Sequence, residues 1–95
     1  MGLYWAYFTI QDYESAIECA RQAVRLAPDN PSFIRQLAVA YGMLGQEDNC
    51  KQAVADYLRL EPTATVGDVK NIPARNQQTL VRFVEAIRMI GVPES

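Results

Sequence analysis

The chain has 95 residues, 49% of them hydrophobic and 21% charged, with a formal net charge of −2. That size and balance suit one globular domain with a modest core, and argue against a general nucleic-acid binder, which needs a basic patch. The sequence has no histidine and two cysteines, Cys19 and Cys50, so the commonest general base is missing and one chain cannot close a zinc site.

No apolar run approaches the roughly 20 residues that span a bilayer. The start, Met1-Gly2-Leu3-Tyr4-Trp5, has no basic leader and no small-residue cleavage site, so no signal peptide is expected. The same start runs straight into helical pattern, as if cut from a longer chain. Two reduced thiols in a cytoplasmic protein are the expectation for Cys19 and Cys50.

The first predicted helix covers Gly2 to Ile10. Leu3, Ala6, Tyr7 and Ile10 follow i, i+3, i+4, i+7 and read as one inward stripe. Tyr4, Trp5 and Phe8 fall outside it. Either another helix, absent from this sequence, covers them, or they form a ligand groove. Gln11-Asp12 turns the chain, and Asp12 is placed to cap the next helix.

That second helix runs to Ala27, with Tyr13, Ala16, Ile17, Ala20, Ala23 and Val24 as its apolar face. The alanines let a neighbouring helix approach closely. Glu14, Glu18, Arg21 and Arg25 point the other way, as a solvated face. Pro28-Asp29-Asn30-Pro31 ends this helix and starts a third, since proline suits a first turn and not an interior. Ile34, Leu37, Ala38, Tyr41 and Leu44 make its stripe. Gly45 stands where the helix must stop in a left-handed conformation. A fourth helix is predicted from Glu47 to Leu60, with Cys50, Val54, Tyr57 and Leu58 inward.

The stretch from Thr63 to Pro73 lacks this periodicity and holds at most a short helix from Val66 to Asn71. A longer helix follows, from about Ala74 to Ile90, with Leu80, Phe83, Val84, Ile87 and Ile90 on one face. Gly91 and Pro93 end it. A helix in this place caps the open end of a helical stack.

The first four helices repeat. Pro28 and Pro62 end equivalent units, 34 residues apart. At that offset Leu3 falls on Leu37, Ala6 on Ala40, Tyr7 on Tyr41, Arg25 on Arg59 and Leu26 on Leu60. With these residues residues 1–62 resemble tetratricopeptide repeats. The first unit keeps Leu3, Tyr7, Tyr13, Ala16, Ala23 and Pro28; the second keeps Leu37, Tyr41, Gly45 and Pro62. The sequence departs from the pattern at Glu47, where an aromatic is usual, and at Cys50 and Tyr57, where alanine is usual. The fold class read from this is all-α. Antiparallel helix–turn–helix repeats form a right-handed solenoid fragment with a C-terminal capping helix. One domain spans 1–95, with a first repeat over 1–30, a second over 31–62, a connector over 63–73 and the cap over 74–95.

The segment from Leu60-Glu61-Pro62 through Val66 to Ile72, and the tail Leu80-x-x-Phe83-x-x-x-Ile87-x-x-x-Gly91-Val92-Pro93-Glu94, also resemble the C-terminal end of bacterial multidomain proteins. Those are class III adenylate or guanylate cyclases and some transcriptional regulators. Any cyclase chemistry would lie in a domain outside this chain.

The repeat resemblance implies a groove lined by the first helix of each unit. By position its residues are Trp5, Phe8, Thr9, Ser32, Arg35, Gln36, Val39 and Met43. Aromatics, Met and Arg are enriched at protein interfaces. The groove differs from the type that clamps a terminal carboxylate with Lys and Asn, because Met1, Trp5 and Val39 stand at those places. No Gly-rich phosphate loop and no nucleophile beside a base occurs, so no catalytic, cofactor or metal residues are expected. The carboxylates, such as Asp12, Glu47 and Asp68, have capping or solvent-facing explanations.

The sequence reading is therefore a non-catalytic protein–protein interaction or scaffold module with a protein or peptide partner. It fits the regulatory or oligomerisation end of a larger signalling protein, with a transcriptional regulator or a stand-alone peptide-binding adaptor as alternatives. Tyr4, Trp5, Phe8, Arg35, Gln36, Val39 and Met43 are its groove or association residues. Fewer than about three repeats rarely suffice for stability, so self-association as a dimer through the first helix is expected.

Overall fold

A computed structural model describes residues 2–67 and 77–93. Five helices are seen there: α1 Gly2–Thr9, α2 Tyr13–Leu26, α3 Pro31–Leu44, α4 Glu47–Leu60 and α5 Gln77–Met89. The fold is an all-α helical repeat. α1 packs on α2, α2 on α3 and α3 on α4. The connector helix expected from Val66 to Asn71 lies outside the described residues beyond Gly67.

The turns form where local chemistry dictates. Asp12 caps α2, its carboxylate accepting from the Ser15 backbone N–H at 3.2 Å and from the Ser15 hydroxyl at 2.8 Å. Asn30 caps α3 by accepting from the Ser32 N–H at 2.9 Å, with Pro31 in the first turn. At the end of α3, Gly45 has φ 83°, the Gly45 N–H donates to the Gly42 carbonyl, and the Gln46 N–H to that of Tyr41. These bonds satisfy carbonyls that a helix end leaves free.

The first hairpin makes the same turn without glycine. Gln11 stands at the position equivalent to Gly45, with φ 64°. Its N–H donates to the Phe8 carbonyl, and that of Asp12 to the Tyr7 carbonyl. A side chain in this left-handed region costs roughly 1–2 kcal/mol.

The core contradicts the inward stripe expected of α1. Leu3 is 63% exposed and Ile10 69%, and Ala6 is exposed, while Tyr4 and Phe8 are buried and Trp5 is half-buried. The interior face of α1 is therefore Tyr4, Trp5 and Phe8. The helix that covers them is α5, within the same chain. α5 rests chiefly on α1 and α3, with Phe83 and Ile87 fully enclosed. It caps the stack across the face that the two first helices share, and not simply beyond α4. The four inward residues expected of α4 fit closely: Cys50, Val54 and Tyr57 are buried and Leu58 is half-buried against the core.

Two contacts hold the C-terminal end of α5. After Gly91, at φ 101°, the chain turns so that Val92 is buried. The Pro93 carbonyl then accepts from the Val66 N–H at 2.8 Å, tying the tail to the connector beside buried Ala64 and Val66. One residue before Gly91, Ile90 is admitted by Gly42, where a Cβ would lie 2.8 Å from Ile90 Cγ2 and 3.4 Å from Cys50 Sγ. The close approach explains a glycine inside α3, where it otherwise costs about 1 kcal/mol relative to alanine.

Gln11→Gly is expected to raise stability by about 0.5–1 kcal/mol, the relief of left-handed strain less the added freedom of the unfolded chain. Urea melts of the two proteins check it, and an unchanged or lower midpoint would show that the turn is unstrained.

Candidate protein-binding face

The face shared by α1 and α3 is where the sequence places its groove. Its aromatic end is built by α1. Eight residues make a marginal helix alone, so α1 depends on what it packs against. Tyr4, Trp5 and Phe8 lie on one side of it, and the Phe83 ring of α5 meets two of them. Ring centroids are 4.9 Å apart for Trp5 and Phe83, and 5.7 Å for Phe8 and Phe83 with the planes at 70°. Tyr13 closes the cluster, 5.6 Å from Phe8. Edge-to-face pairs of this kind contribute about 0.5–1.5 kcal/mol each beyond the area they bury.

A polar contact fixes the register of α5. The Thr9 hydroxyl donates to the Trp5 carbonyl at 2.8 Å and lies 2.9 Å from the hydroxyl of buried Thr79. Either hydroxyl can donate in the Thr9–Thr79 pair, since each has one proton to give and lone pairs to accept with. Arg82 Nη1 approaches the Thr9 carbonyl at 3.4 Å, beside the same end of α1.

Midway along the face, the Tyr4 hydroxyl donates to the Gln36 carbonyl at 2.8 Å, joining α1 to α3. Gln36 thus contributes its backbone there, and its side chain is half-buried. Burial pushes the Tyr4 phenol well above its ordinary range; nearby Arg35 opposes the shift and Tyr13 adds to it. Arg35 is half-buried, its guanidinium carbon 5.9 Å from the Tyr57 ring centroid. Its Nε has no hydrogen-bond partner among the described residues. Val39 is fully buried. Met43, half-buried, lines a recess of about 460 Å³ with Gly42, Cys50, Ala86, Met89 and Ile90. Ser32 is half-buried at the start of α3.

The structure thus brings Tyr4, Trp5, Phe8, Gln36, Val39 and Met43 onto one face or its rim, with Arg35 directed to Tyr57. It also shows what the sequence reading left out, namely that α5 is seated on that face. The signal was present in the Phe83/Ile87/Ile90 stripe, with Thr79 one turn before it. Both thiols are free, Cys50 buried and Cys19 half-buried. Burial raises the Cys50 thiol, and Glu47 adds to the effect. Among the described residues, no group of three or more Cys, Asp or Glu is placed to hold a metal ion. No described helix is long and apolar enough to cross a membrane.

Residues 6–45 match the family model of the TPR repeat. Over 53 residues, 56% of this chain, the sequence is 36% identical to tetratricopeptide repeat protein 21A of Mus musculus. The chain spans 4% of the length of that relative. No solved structure gives a significant match. The match falls on the loop-linked helices α1 to α3, and repeats of this class generally mediate contacts between proteins.

Tyr4→Phe is expected to lower stability by about 1 kcal/mol at neutral pH, the worth of a net hydrogen bond. The folded protein keeps the Tyr4 proton where the unfolded chain releases it, so the native tyrosine's contribution is whole below about pH 10 and falls as pH rises further. Tyr4→Phe therefore loses stability less steeply in that alkaline range. Denaturant melts from neutral to alkaline pH check both effects, and parallel pH profiles would count against the second.

Proposed function

We propose that the chain is a non-catalytic interaction module whose α1–α3 face recognises an amphipathic helix of a partner protein. The observation that carries this reading is α5 itself. A helix with Thr79, Phe83 and Ile87 on one side fills the face made by Trp5, Phe8 and Val39. A partner helix with an aromatic at the place of Phe83 and aliphatic residues one and two turns on has the same complementarity. Anchoring of a helix in an apolar groove by residues at i, i+4 and i+7 is a common recognition mode. The partner competes with α5, so the affinity it shows is reduced by the stability of the seated α5.

The reading places the module in the cytoplasm, as the regulatory or oligomerisation end of a larger signalling protein such as an adenylate cyclase, or of a transcriptional regulator. Its support is the tail pattern from Leu80 to Glu94 and the repeat end at Pro62. Self-association through α1 belongs to the same reading. Tyr4 and Phe8 are turned into the fold, so α1 offers Trp5 in part and Leu3, Ala6 and Ile10 as exposed residues.

The Phe83→Ala variant tests the groove. It should lose about 3–5 kcal/mol of stability, and a labelled peptide of residues 77–93 should bind it more tightly than the unaltered chain. Fluorescence anisotropy measures the binding. Equal or absent binding by the folded variant would sink the proposal.

A further inference from the structure

The outward stripe of α1 has a counterpart that is covered. At the 34-residue offset, exposed Ala6 corresponds to fully buried Ala40, and half-buried Tyr7 to buried Tyr41. Leu3 at 63% exposure corresponds to half-buried Leu37, and Leu26 at 89% to half-buried Leu60. The second repeat has α2 packed against α3. The first repeat has the same side chains at the same register and no helical hairpin on them among the described residues.

The surface is apolar in both relief and recess. Leu3 and Leu26 project from it. Between them lies a hollow of about 160 Å³ with Cys19, Gln22 and Ala23 of α2 in its wall and Tyr4 and Gln36 at its inner side. A leucine and a hollow side by side make a self-complementary patch, because a two-fold axis sets each against the other. The exposed charges of α2 follow the same logic. Glu14 and Glu18 are exposed in the first half of α2, and Arg25 is exposed near its end. Arg21 is already engaged, its Nε donating to the Tyr41 hydroxyl at 3.0 Å. Two α2 helices placed antiparallel bring the acidic half of each beside Arg25 of the other.

We infer that two copies of this chain associate through the outer α1–α2 face, Leu3, Ala6, Cys19 and Leu26, around a two-fold axis with antiparallel α2 helices. The inference deepens the proposal of self-association through α1 and rests on it, but moves the contact from Trp5 to the Leu3 and Leu26 side, whose hollow reaches in as far as Tyr4 and Gln36. Tyr4, Phe8 and Phe83 stay inside each copy.

Sedimentation velocity of the unaltered chain over a wide concentration range, in dilute salt, reads the outcome. The expected result is a rise toward twice the monomer mass. Leu26→Glu should hold the chain monomeric with its helical circular dichroism unchanged, since Leu26 is 89% exposed. Glu18→Arg should weaken the dimer and Glu18→Arg/Arg25→Glu should restore it. A monomer at every concentration overturns the inference, as does a dimer that Leu26→Glu leaves intact. A dimer lost only in Trp5→Ala assigns association to the aromatic side and overturns this face, while leaving self-association through α1 standing. Binding of the 77–93 peptide to Phe83→Ala is independent of all these outcomes.

Discussion

The contact of Phe83 with Trp5 and Phe8 decides which side of α1 is interior. α1 has 8 residues, too few for a helix to persist on backbone bonds alone. It gains a partner on one side from α2 and on another from α5. Two helical hairpins by themselves leave Phe8 and Val39 with an open side. With α5 seated, both are fully buried, and so are Phe83 and Ile87. The Thr9–Thr79 bond then sets α5 in register, and the Val66–Pro93 bond holds its tail to the connector. A chain with two repeats reaches a closed core because its last helix supplies the surface that further repeats supply in longer stacks.

Most of this fold could be read in the sequence, for definite reasons. Asp12, Asn30-Pro31 and Gly45 are local signals, and each acts within a few residues of itself. α4 reads correctly because its inward face, Cys50, Val54 and Tyr57, meets neighbours within the same repeat plan. The face of α1 could not be read in this way. Leu3, Ala6 and Ile10 form a valid helical stripe, and the 34-residue register ties them to residues that are covered in the second repeat. The register records what the stripe is shaped to meet. It does not record whether a hairpin is there to meet it. Tyr4, Trp5 and Phe8 are buried instead by a helix that begins 69 positions after Phe8 in the sequence, and no local pattern in α1 announces that contact.

The positions of the groove residues were legible from the repeat plan, and their surroundings were not. Trp5, Phe8 and Val39 share a face because α1 and α3 are equivalent helices. Gln36 enters through its backbone carbonyl, which residue type does not foretell. Arg35 turns to Tyr57, the large residue where the repeat pattern usually has alanine. The aromatic at that place gives the guanidinium a ring to lie over, and links α3 to α4. Two faces of α1 thus carry separate roles in the account, an inner one that holds a helix and an outer one shaped like a repeat-to-repeat contact.

The seat of α5 is the claim on which both faces depend, and proton NMR of the unaltered chain tests it directly. The chain has a single tryptophan, so its indole signals are unambiguous. With ring centroids 4.9 Å apart, nuclear Overhauser cross-peaks are expected between the Trp5 indole and the Phe83 ring. Their absence, in a sample whose Tyr4 and Phe8 ring protons do show contacts to each other, would contradict the account and return α1's aromatic side to solvent or to another partner.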